Sequence, residues 1–287
     1  MKRRILYSTT LLSVVFTLAG GALNAATSFT PSNPKLPTLF IAGDSTAAPG
    51  NGWGVLLPAY FDLKLINVCN CAVGGTSSRT FITKGTWGNL INQLKAGDYV
   101  LIQFGHNDAS PVNETESVPP SARRSRGTLP GIGEETKEID NVITKQHEVI
   151  HTYGWYMRKM IQEVQGKGAT PIILSLTVHN TWKDGKIDLN QYGVYRKWSE
   201  ELAGKVGVSF IDVTKRIADE YDRLGQTQVK LFFPKDFVHT NPAGSDLVAS
   251  IVVAGLRELK NHPFDSFLSE KGRTVSTSSN RSEKPTP

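Results

Sequence analysis

A serine, a histidine and an aspartate lie in two short polar segments that together have the groups needed to cleave an ester. Ser45 follows Gly43 and Asp44, and its hydroxyl is a weak nucleophile until a base removes its proton. His239 is the candidate base, because histidine is the side chain that titrates near neutral pH. Asp236 lies three residues before His239 and can orient the imidazole and stabilise its protonated form. These residues predict an acyl-transfer site.

Acyl transfer also needs fixed donors for the oxyanion that develops on the attacked carbonyl. The candidate donors are the backbone N–H groups of Ser45 and Gly75 and the side-chain amide of Asn107. Glycine suits this position because its backbone can approach a substrate closely. Each polar cluster alone is more typical of an ordinary turn or helix cap than of a functional site. Only their combination indicates a reaction.

The elements that must position these residues are short strands alternating with helices. Five apolar runs of four to six residues predict strands at residues 38–42, 65–68, 99–104, 171–176 and 208–211. Apolar stripes at helical spacing predict helices at residues 153–164, 192–206, 213–224 and 242–259, the last with Asn241 as its N-cap. This alternation predicts an α/β fold, a three-layer α/β/α sandwich around a parallel sheet. Three of the polar clusters follow predicted strands, where such sheets bind ligands.

Residues 109–151 interrupt this alternation with no convincing element except a short helix. Insertions of this length are usually functional lids or disordered segments, and this one begins directly after the Asn107 cluster. It contains Arg123, Arg124 and Arg126. We interpret them as a solvated basic turn or, alternatively, as substrate contacts for galacturonate carboxylates.

The chain begins with a pattern typical of a secretory signal peptide. Three basic residues precede a largely apolar run over residues 5–23, and small residues follow at Ala25 and Ala26. A membrane anchor is the alternative, but polar residues and glycines interrupt the run. We therefore expect a signal peptide at 1–25, a linker at 26–37, a catalytic domain at 38–262, a disordered tail at 263–287 and secretion.

Charge and metal-ligand patterns exclude other classes of function. Cleavage of the signal would remove three basic residues and reduce the net charge from +6 to +3. A charge of +3 is too small to predict a nucleic-acid partner.

Cys69 and Cys71 are separated by a single residue, a spacing that suits a disulfide poorly. Residues 147–151 spell His-Glu-Val-Ile-His, as in zinc hydrolases, but no third ligand is evident. We expect no metal and no cofactor.

The four clusters resemble the blocks of the SGNH (GDSL-type) hydrolase family. The blocks are Gly43-Asp44-Ser45, a glycine of the pair Gly74-Gly75, Gly105-His106-Asn107-Asp108 and Asp236-Phe237-Val238-His239. The resemblance implies a flavodoxin-like five-stranded parallel sheet, a catalytic triad of Ser45, Asp236 and His239, and an oxyanion hole of Ser45, Gly75 and Asn107. The first block ends in Thr46, not leucine. We prefer Gly75 to Gly74 because it directly precedes Thr76-Ser77-Ser78-Arg79.

The finer pattern of these segments resembles the rhamnogalacturonan acetylesterases within that family. This resemblance implies removal of acetyl groups from an acetylated pectic polysaccharide without a cofactor. One alternative is an SGNH esterase that acts on xylan or on small acyl esters, because a triad determines the reaction but not the leaving group. The other is a catalytically silent carbohydrate-binding protein, which the intact set of candidate residues disfavours. We expect a monomer with no membrane partner after signal cleavage.

Overall fold

The computed structural model describes residues 30–190 and 193–277 of the 287-residue chain. The predicted signal peptide at 1–25 therefore lies outside the described residues. The strands are β1 (Thr38–Gly43), β2 (Asn67–Asn70), β3 (Tyr99–Gln103), β4 (Thr136–Asp140), β5 (His147–His151), β6 (Thr170–Leu174), β7 (Trp182–Lys183), β8 (Lys186–Ile187) and β9 (Ser209–Ile211). The α-helices are α1 (Ser78–Thr83), α2 (Thr86–Ile91), α3 (Tyr153–Gly166), α4 (Gly193–Val206), α5 (Val213–Leu224), α6 (Gln226–Lys230), α7 (Pro242–Arg257) and α8 (Glu270–Arg273).

The central sheet has five strands in the order β2-β1-β3-β6-β9, and every neighbouring pair is parallel. Ile41 of β1 pairs with Leu101 of β3, and Ile102 of β3 pairs with Ile173 of β6. The chain runs from β1 to one side to form β2, then crosses to the other side to form β3. The carboxyl ends of β1 and β3 therefore meet at the point where the strand order reverses, which is where open α/β sheets bind ligands.

Both faces of the sheet are buried, because successive side chains along each strand point to opposite faces. Leu39 and Ile41 of β1 pack into one core with apolar residues of α5 and α7. Phe40 and Ala42 pack into a second core with residues of α1, α2, α3 and α4. The predicted three-layer α/β/α fold with a five-stranded parallel sheet is confirmed. No helix in the described part of the chain is long and apolar enough to span a membrane.

Helix α7 begins at a cap that also orients the segment carrying His239. The Asn241 side chain accepts a hydrogen bond from the Gly244 N–H at 3.0 Å, and Pro242 occupies the first helical position. The predicted N-cap is confirmed. A side-chain cap and a proline at the first helical position fix the point at which the helix begins. His239 lies only two residues before the cap, so the same contacts orient its segment.

The insertion at 109–151 contains an antiparallel hairpin that our sequence analysis did not predict. Strands β4 and β5 pair Thr136 with His151 and Asp140 with His147. Ile139 and Ile150 are the buried residues of these strands, so the alternation that reveals a strand was too weak to recognise. The His-Glu-Val-Ile-His sequence forms β5, where the His147 imidazole contacts Asp140 and the His151 ring stacks on Trp155.

A buried arginine fixes this insertion to the domain. Arg79 of α1 is 1% exposed and contacts Glu148 of β5 at 2.6 Å. Its Nη1 also donates to the carbonyls of Val112 and Gly127, each at 2.9 Å. Glu148, the glutamate of the His-Glu-Val-Ile-His segment, therefore pairs with the buried guanidinium of Arg79.

The predicted disordered tail is wrong for residues 263–277. Residues Phe264–Phe267 form a 3₁₀ turn and α8 follows. Phe264 and Leu268 are each 1% exposed, and the Ser269 N–H donates to the Tyr60 carbonyl at 3.0 Å. Phe267 and Val275 also pack against the core, so apolar burial holds this otherwise polar segment to the domain. Residues 278–287 lie outside the described part.

Candidate active site

The structure brings together Ser45, His239 and Asp236. The Nε2 atom of His239 lies 2.9 Å from the Ser45 Oγ atom, although the two residues are 194 positions apart. The Nδ1 atom of the same ring lies 2.8 Å from Oδ2 of Asp236. One imidazole therefore contacts a hydroxyl and a carboxylate through its two nitrogens. This is the geometry that lets a histidine take a proton from a serine while a carboxylate stabilises the ring.

The Asp236 carboxylate also organises its own loop. Its Oδ1 atom accepts hydrogen bonds from the backbone N–H groups of Val238 and His239, each at 2.7 Å. Partial burial acts to raise the pKa of Asp236, but the hydrogen bonds from His239 and Val238 prevail and lower this pKa to about 2. Asp236 is consequently charged at any pH at which a histidine can act as a base.

A second histidine lies beneath the nucleophile, and our sequence analysis assigned it no role. Asp44 is buried at the end of β1, and its Oδ2 atom lies 2.9 Å from Nδ1 of His106. The other ring nitrogen of His106 lies 3.1 Å from the Thr177 carbonyl. Asp44 Oδ1 accepts from the Thr46 N–H and hydroxyl, each at 2.9 Å. These contacts link the ends of β1 and β3 to the segment after β6 and hold the turn that carries Ser45.

The two charges of this pair support each other. Burial acts to raise the pKa of Asp44, but the adjacent His106 outweighs it and lowers that pKa. Burial acts to lower the pKa of His106, but Asp44 outweighs it and raises that pKa. Both groups therefore favour their charged forms.

The three predicted oxyanion donors lie on loops that meet at the ends of β1, β2 and β3. Gly75 has φ +74°, a left-handed conformation that favours glycine. Asn107 is buried, and its Nδ2 donates to the Thr76 carbonyl at 2.9 Å. Within the described ranges, the N–H groups of Ser45 and Gly75 donate to no protein acceptor. Gly74 also lies near the nucleophile, since a Cβ atom there would be 3.7 Å from Ser45 Cβ. The choice of Gly75 stays a prediction.

Asp108 connects the Asn107 loop to α1. Its Oδ1 atom accepts from the Ser78 N–H at 3.1 Å and from the Ser78 hydroxyl. Its burial, the largest cause, raises the pKa of Asp108 to about 7, although the Ser78 hydrogen bonds act in the opposite direction. A signal for this pairing existed in the sequence, because Asp108 ends the third polar cluster and Ser78 belongs to the second.

The structure does not bring the three arginines of the basic turn together at one subsite. The Arg123 guanidinium donates to the carbonyls of Glu116, Val118 and Val142, all within the insertion. Arg124 is exposed and donates to the Ser121 and Arg123 carbonyls of its own turn. Arg126 Nη1 instead donates to the Gly75 carbonyl at 2.9 Å. Their predicted contact with galacturonate carboxylates stays a prediction.

A narrow pocket lies beside Ser45 and has room for about one water molecule. Its lining includes Ser45, Asn51, Trp53, Tyr221, His239 and Val248. Trp53 is buried and its Nε1 donates to Gln103 at 3.0 Å, so it forms a rigid wall. Outside the pocket, Phe237 is 53% exposed on the loop between Asp236 and His239. No pattern in the sequence singled out this aromatic ring as a candidate for sugar stacking.

Comparisons with known proteins identify the family to which the chain is similar. Residues 41–247 match the model of the GDSL-like Lipase/Acylhydrolase family. The chain is 33% identical over 215 residues to the rhamnogalacturonan acetylesterase of Emericella nidulans, covering 74% of this chain and 81% of that protein. It is 26% identical to rhamnogalacturonan acetylesterase RhgT of Bacillus subtilis, covering 82% of this chain and 96% of that one.

Solved structures show the same architecture. The crystal structure of the YxiM protein of Bacillus subtilis matches with a TM-score of 0.60 and 25% identity over 77% of this chain. The match spans 56% of that longer structure. Axe2, an acetylxylan esterase from Geobacillus stearothermophilus, matches with a TM-score of 0.52 and 16% identity, over 80% of this chain and 96% of that one. At that identity the likeness concerns the fold alone.

Proposed function

The chain belongs to the GDSL-like lipase/acylhydrolase family of carboxylic ester hydrolases. On that premise we propose that it is a secreted serine acetylesterase that deacetylates the rhamnogalacturonan backbone of pectin. The observation that carries the reaction type is the contact of His239 with Ser45 at 2.9 Å and with Asp236 at 2.8 Å. The names of the relatives from Emericella nidulans and Bacillus subtilis support the substrate. The basic and apolar pattern of residues 1–25 supports secretion.

In the proposed first step, Ser45 Oγ attacks the acetyl carbonyl carbon as His239 Nε2 takes the hydroxyl proton. The carbonyl oxygen becomes an oxyanion, which the N–H groups of Ser45 and Gly75 and the Asn107 amide stabilise. Asp236 stabilises the imidazolium. The tetrahedral intermediate then expels the sugar oxygen, which takes the proton from His239, and Ser45 is left acetylated.

In the second step, a water molecule takes the place of the sugar hydroxyl. His239 removes one of its protons, the water oxygen attacks the acetyl-serine carbonyl, and acetate leaves as Ser45 recovers its proton. These steps need no metal and no cofactor.

Acetate release from a panel of substrates tests the proposal. The panel contains acetylated rhamnogalacturonan, acetylated homogalacturonan, acetylated xylan and a small chromogenic acetate. We expect the highest kcat/KM on acetylated rhamnogalacturonan and no change when a chelator is added. Preference for xylan or for the small ester would support the alternative substrates. Reversible loss of activity with the chelator, restored by a divalent ion, would contradict metal-free catalysis.

The Ser45→Ala variant tests the nucleophile directly. We expect kcat to fall by about 10⁴-fold or more, because removal of a triad serine has effects of this order. The matched control is Ser266→Ala, which removes an exposed hydroxyl of the 3₁₀ turn at Phe264–Phe267 and should retain activity. Near-wild-type turnover in folded Ser45→Ala protein would refute both the mechanism and the catalytic assignment.

A further inference from the structure

Two successive carbonyl groups of the loop after β2 accept hydrogen bonds from side chains. The Gly75 carbonyl accepts from Arg126 Nη1 at 2.9 Å, and the Thr76 carbonyl accepts from Asn107 Nδ2 at 2.9 Å. Asn107 belongs to the cluster after β3, but Arg126 comes from the insertion at 109–151. The insertion therefore contacts the oxyanion loop directly.

We propose that Arg126 is a positioning residue that holds the Gly75 loop in the conformation in which its N–H can receive the oxyanion. This inference rests on the proposed function, because it assumes that Gly75 is an oxyanion donor. It assigns the insertion a part in the chemical step, distinct from binding the sugar chain.

The loop requires such a constraint because of its composition. Gly74 and Gly75 are adjacent, and glycine has more backbone freedom than any other residue. Gly75 has φ +74°. Donors stabilise a transition state most when they are already oriented, since no energy is then used to reorganise them during the reaction. A charge-assisted hydrogen bond from a guanidinium is a strong and directional way to fix the Gly75–Thr76 peptide.

Arg126 is itself held on several sides, so it can transmit this constraint. Its backbone carbonyl accepts from the Ser77 hydroxyl at 2.5 Å, and its Nε donates to Ser110 Oγ at 3.2 Å. The next residue, Gly127, packs so closely that a Cβ atom there would lie 1.8 Å from the Ser110 carbonyl oxygen. The Gly127 carbonyl in turn accepts from the buried Arg79 at 2.9 Å.

Arg124 provides a matched control two residues away. It carries the same charge on the same turn, but its side chain is exposed and, among the residues that the structure describes, bonds to the Ser121 and Arg123 carbonyls alone. Loss of local positive charge should affect both variants alike, whereas loss of the Gly75 contact should affect only Arg126.

The test compares Arg126→Gln, Arg126→Lys and Arg124→Gln on the small chromogenic acetate and on acetylated rhamnogalacturonan. We expect Arg126→Gln to lower kcat by about 10- to 100-fold on both substrates. This is less than the roughly 10²–10³-fold loss on removing an oxyanion donor itself, because Arg126 acts through Gly75. We expect KM on the small ester, the pH profile and the melting temperature to change little. Added ethylguanidinium should restore part of kcat in Arg126→Gln, and Arg126→Lys should lose less than Arg126→Gln. Arg124→Gln should match wild type on the small ester, which has no carboxylate for that arginine to bind.

Unchanged kcat in Arg126→Gln would overturn the inference. So would a higher KM confined to the acidic polymer, because that result would make Arg126 a substrate contact. A loss of kcat that follows a loss of folded protein and that ethylguanidinium does not restore would also overturn it. The Ser45→Ala variant separates this inference from the proposed function. If that variant is inactive while Arg126→Gln retains wild-type kcat, only the role of Arg126 fails.

Discussion

The Nδ1 atom of His106 lies 2.9 Å from the Oδ2 atom of Asp44, the residue immediately before Ser45. Both side chains are buried, with 7% and 0% of their surfaces exposed. Because Nε2 of the same ring faces the Thr177 carbonyl at 3.1 Å, the ring can satisfy both acceptors only when both nitrogens carry protons. The nucleophile is therefore supported by a buried ion pair that takes no direct part in the proposed reaction.

We expect His106→Asn to destabilise the protein by about 3 kcal/mol, because removing one partner leaves Asp44 buried without its counter-ion. We also expect kcat/KM to fall at least about tenfold, since the Ser45 turn loses its support. Urea unfolding and steady-state kinetics measure the two effects. His147→Asn is the control, because His147 also contacts carboxylates but its side chain is 60% exposed, and we expect a change below about 0.5 kcal/mol. Equal effects of the two variants would contradict the structural role of His106.

The pH dependence of this stabilisation follows from the directions of the two pKa shifts. The raised pKa of His106 means that its contribution is complete below the ordinary histidine value of 6.5 and is lost as pH rises through the folded-state pKa. The lowered pKa of Asp44 means that its contribution is complete above the ordinary value of 3.8 and is lost as pH falls through the folded-state pKa. The stability difference between wild type and His106→Asn should be largest between about pH 4 and 6.5. Urea unfolding across pH 3–9 checks this, and a difference that grows steadily with pH would contradict it.

We expect Asp236→Asn to lower kcat by about 10²–10⁴-fold while leaving the fold intact, because the amide cannot stabilise the protonated ring. In wild type Asp236, with a pKa of about 2, is charged throughout the neutral range, so the variant removes a carboxylate charge and not merely a hydrogen-bond acceptor. Steady-state kinetics measure the loss of kcat, and urea unfolding checks that the fold is intact. Unchanged kcat in folded Asp236→Asn protein would refute the role of Asp236.

We expect Arg79→Met to destabilise the protein by about 3 kcal/mol, because Arg79 is buried and holds both Glu148 and two carbonyl groups of the insertion. The control is Lys145→Met, which breaks an ion pair with Glu116 whose side chains are 62% and 77% exposed. Such exposed pairs contribute little to stability, because solvent screens them. Urea unfolding distinguishes the two, and a small effect of Arg79→Met would show that the insertion is held by other contacts.

We expect Phe237→Ala to raise KM on acetylated polysaccharide by about three- to tenfold and to leave kinetics on the small chromogenic acetate nearly unchanged. An exposed ring beside His239 offers an apolar surface to a sugar, and contacts of one aromatic side chain contribute about 1 kcal/mol. Phe237→Tyr should behave as wild type. Equal losses on both substrates would indicate that the ring supports the catalytic loop, through its contact with His179, and does not bind the sugar chain.

The sequence by itself determined the layered α/β fold and the candidate catalytic residues, because both depend on local patterns. Runs such as residues 38–42 are short, apolar and followed by a glycine, so they predict buried parallel strands. Asp236 and His239 are three residues apart on one loop, a spacing that lets the carboxylate reach the ring, as the contact in the structure shows. Ser45 follows a predicted strand directly, so the sheet places it at the ligand-binding edge.

Only the tertiary structure decided which distant groups meet. The pairing of His106 with Asp44, of Arg79 with Glu148 and of Arg126 with the Gly75 carbonyl joins residues 62, 69 and 51 positions apart. The hairpin of β4 and β5 and the ordered segment at 263–277 likewise depend on a few apolar contacts. Such contacts have no periodicity along the chain, because they arise when separately formed elements pack and must satisfy every polar group that the packing buries.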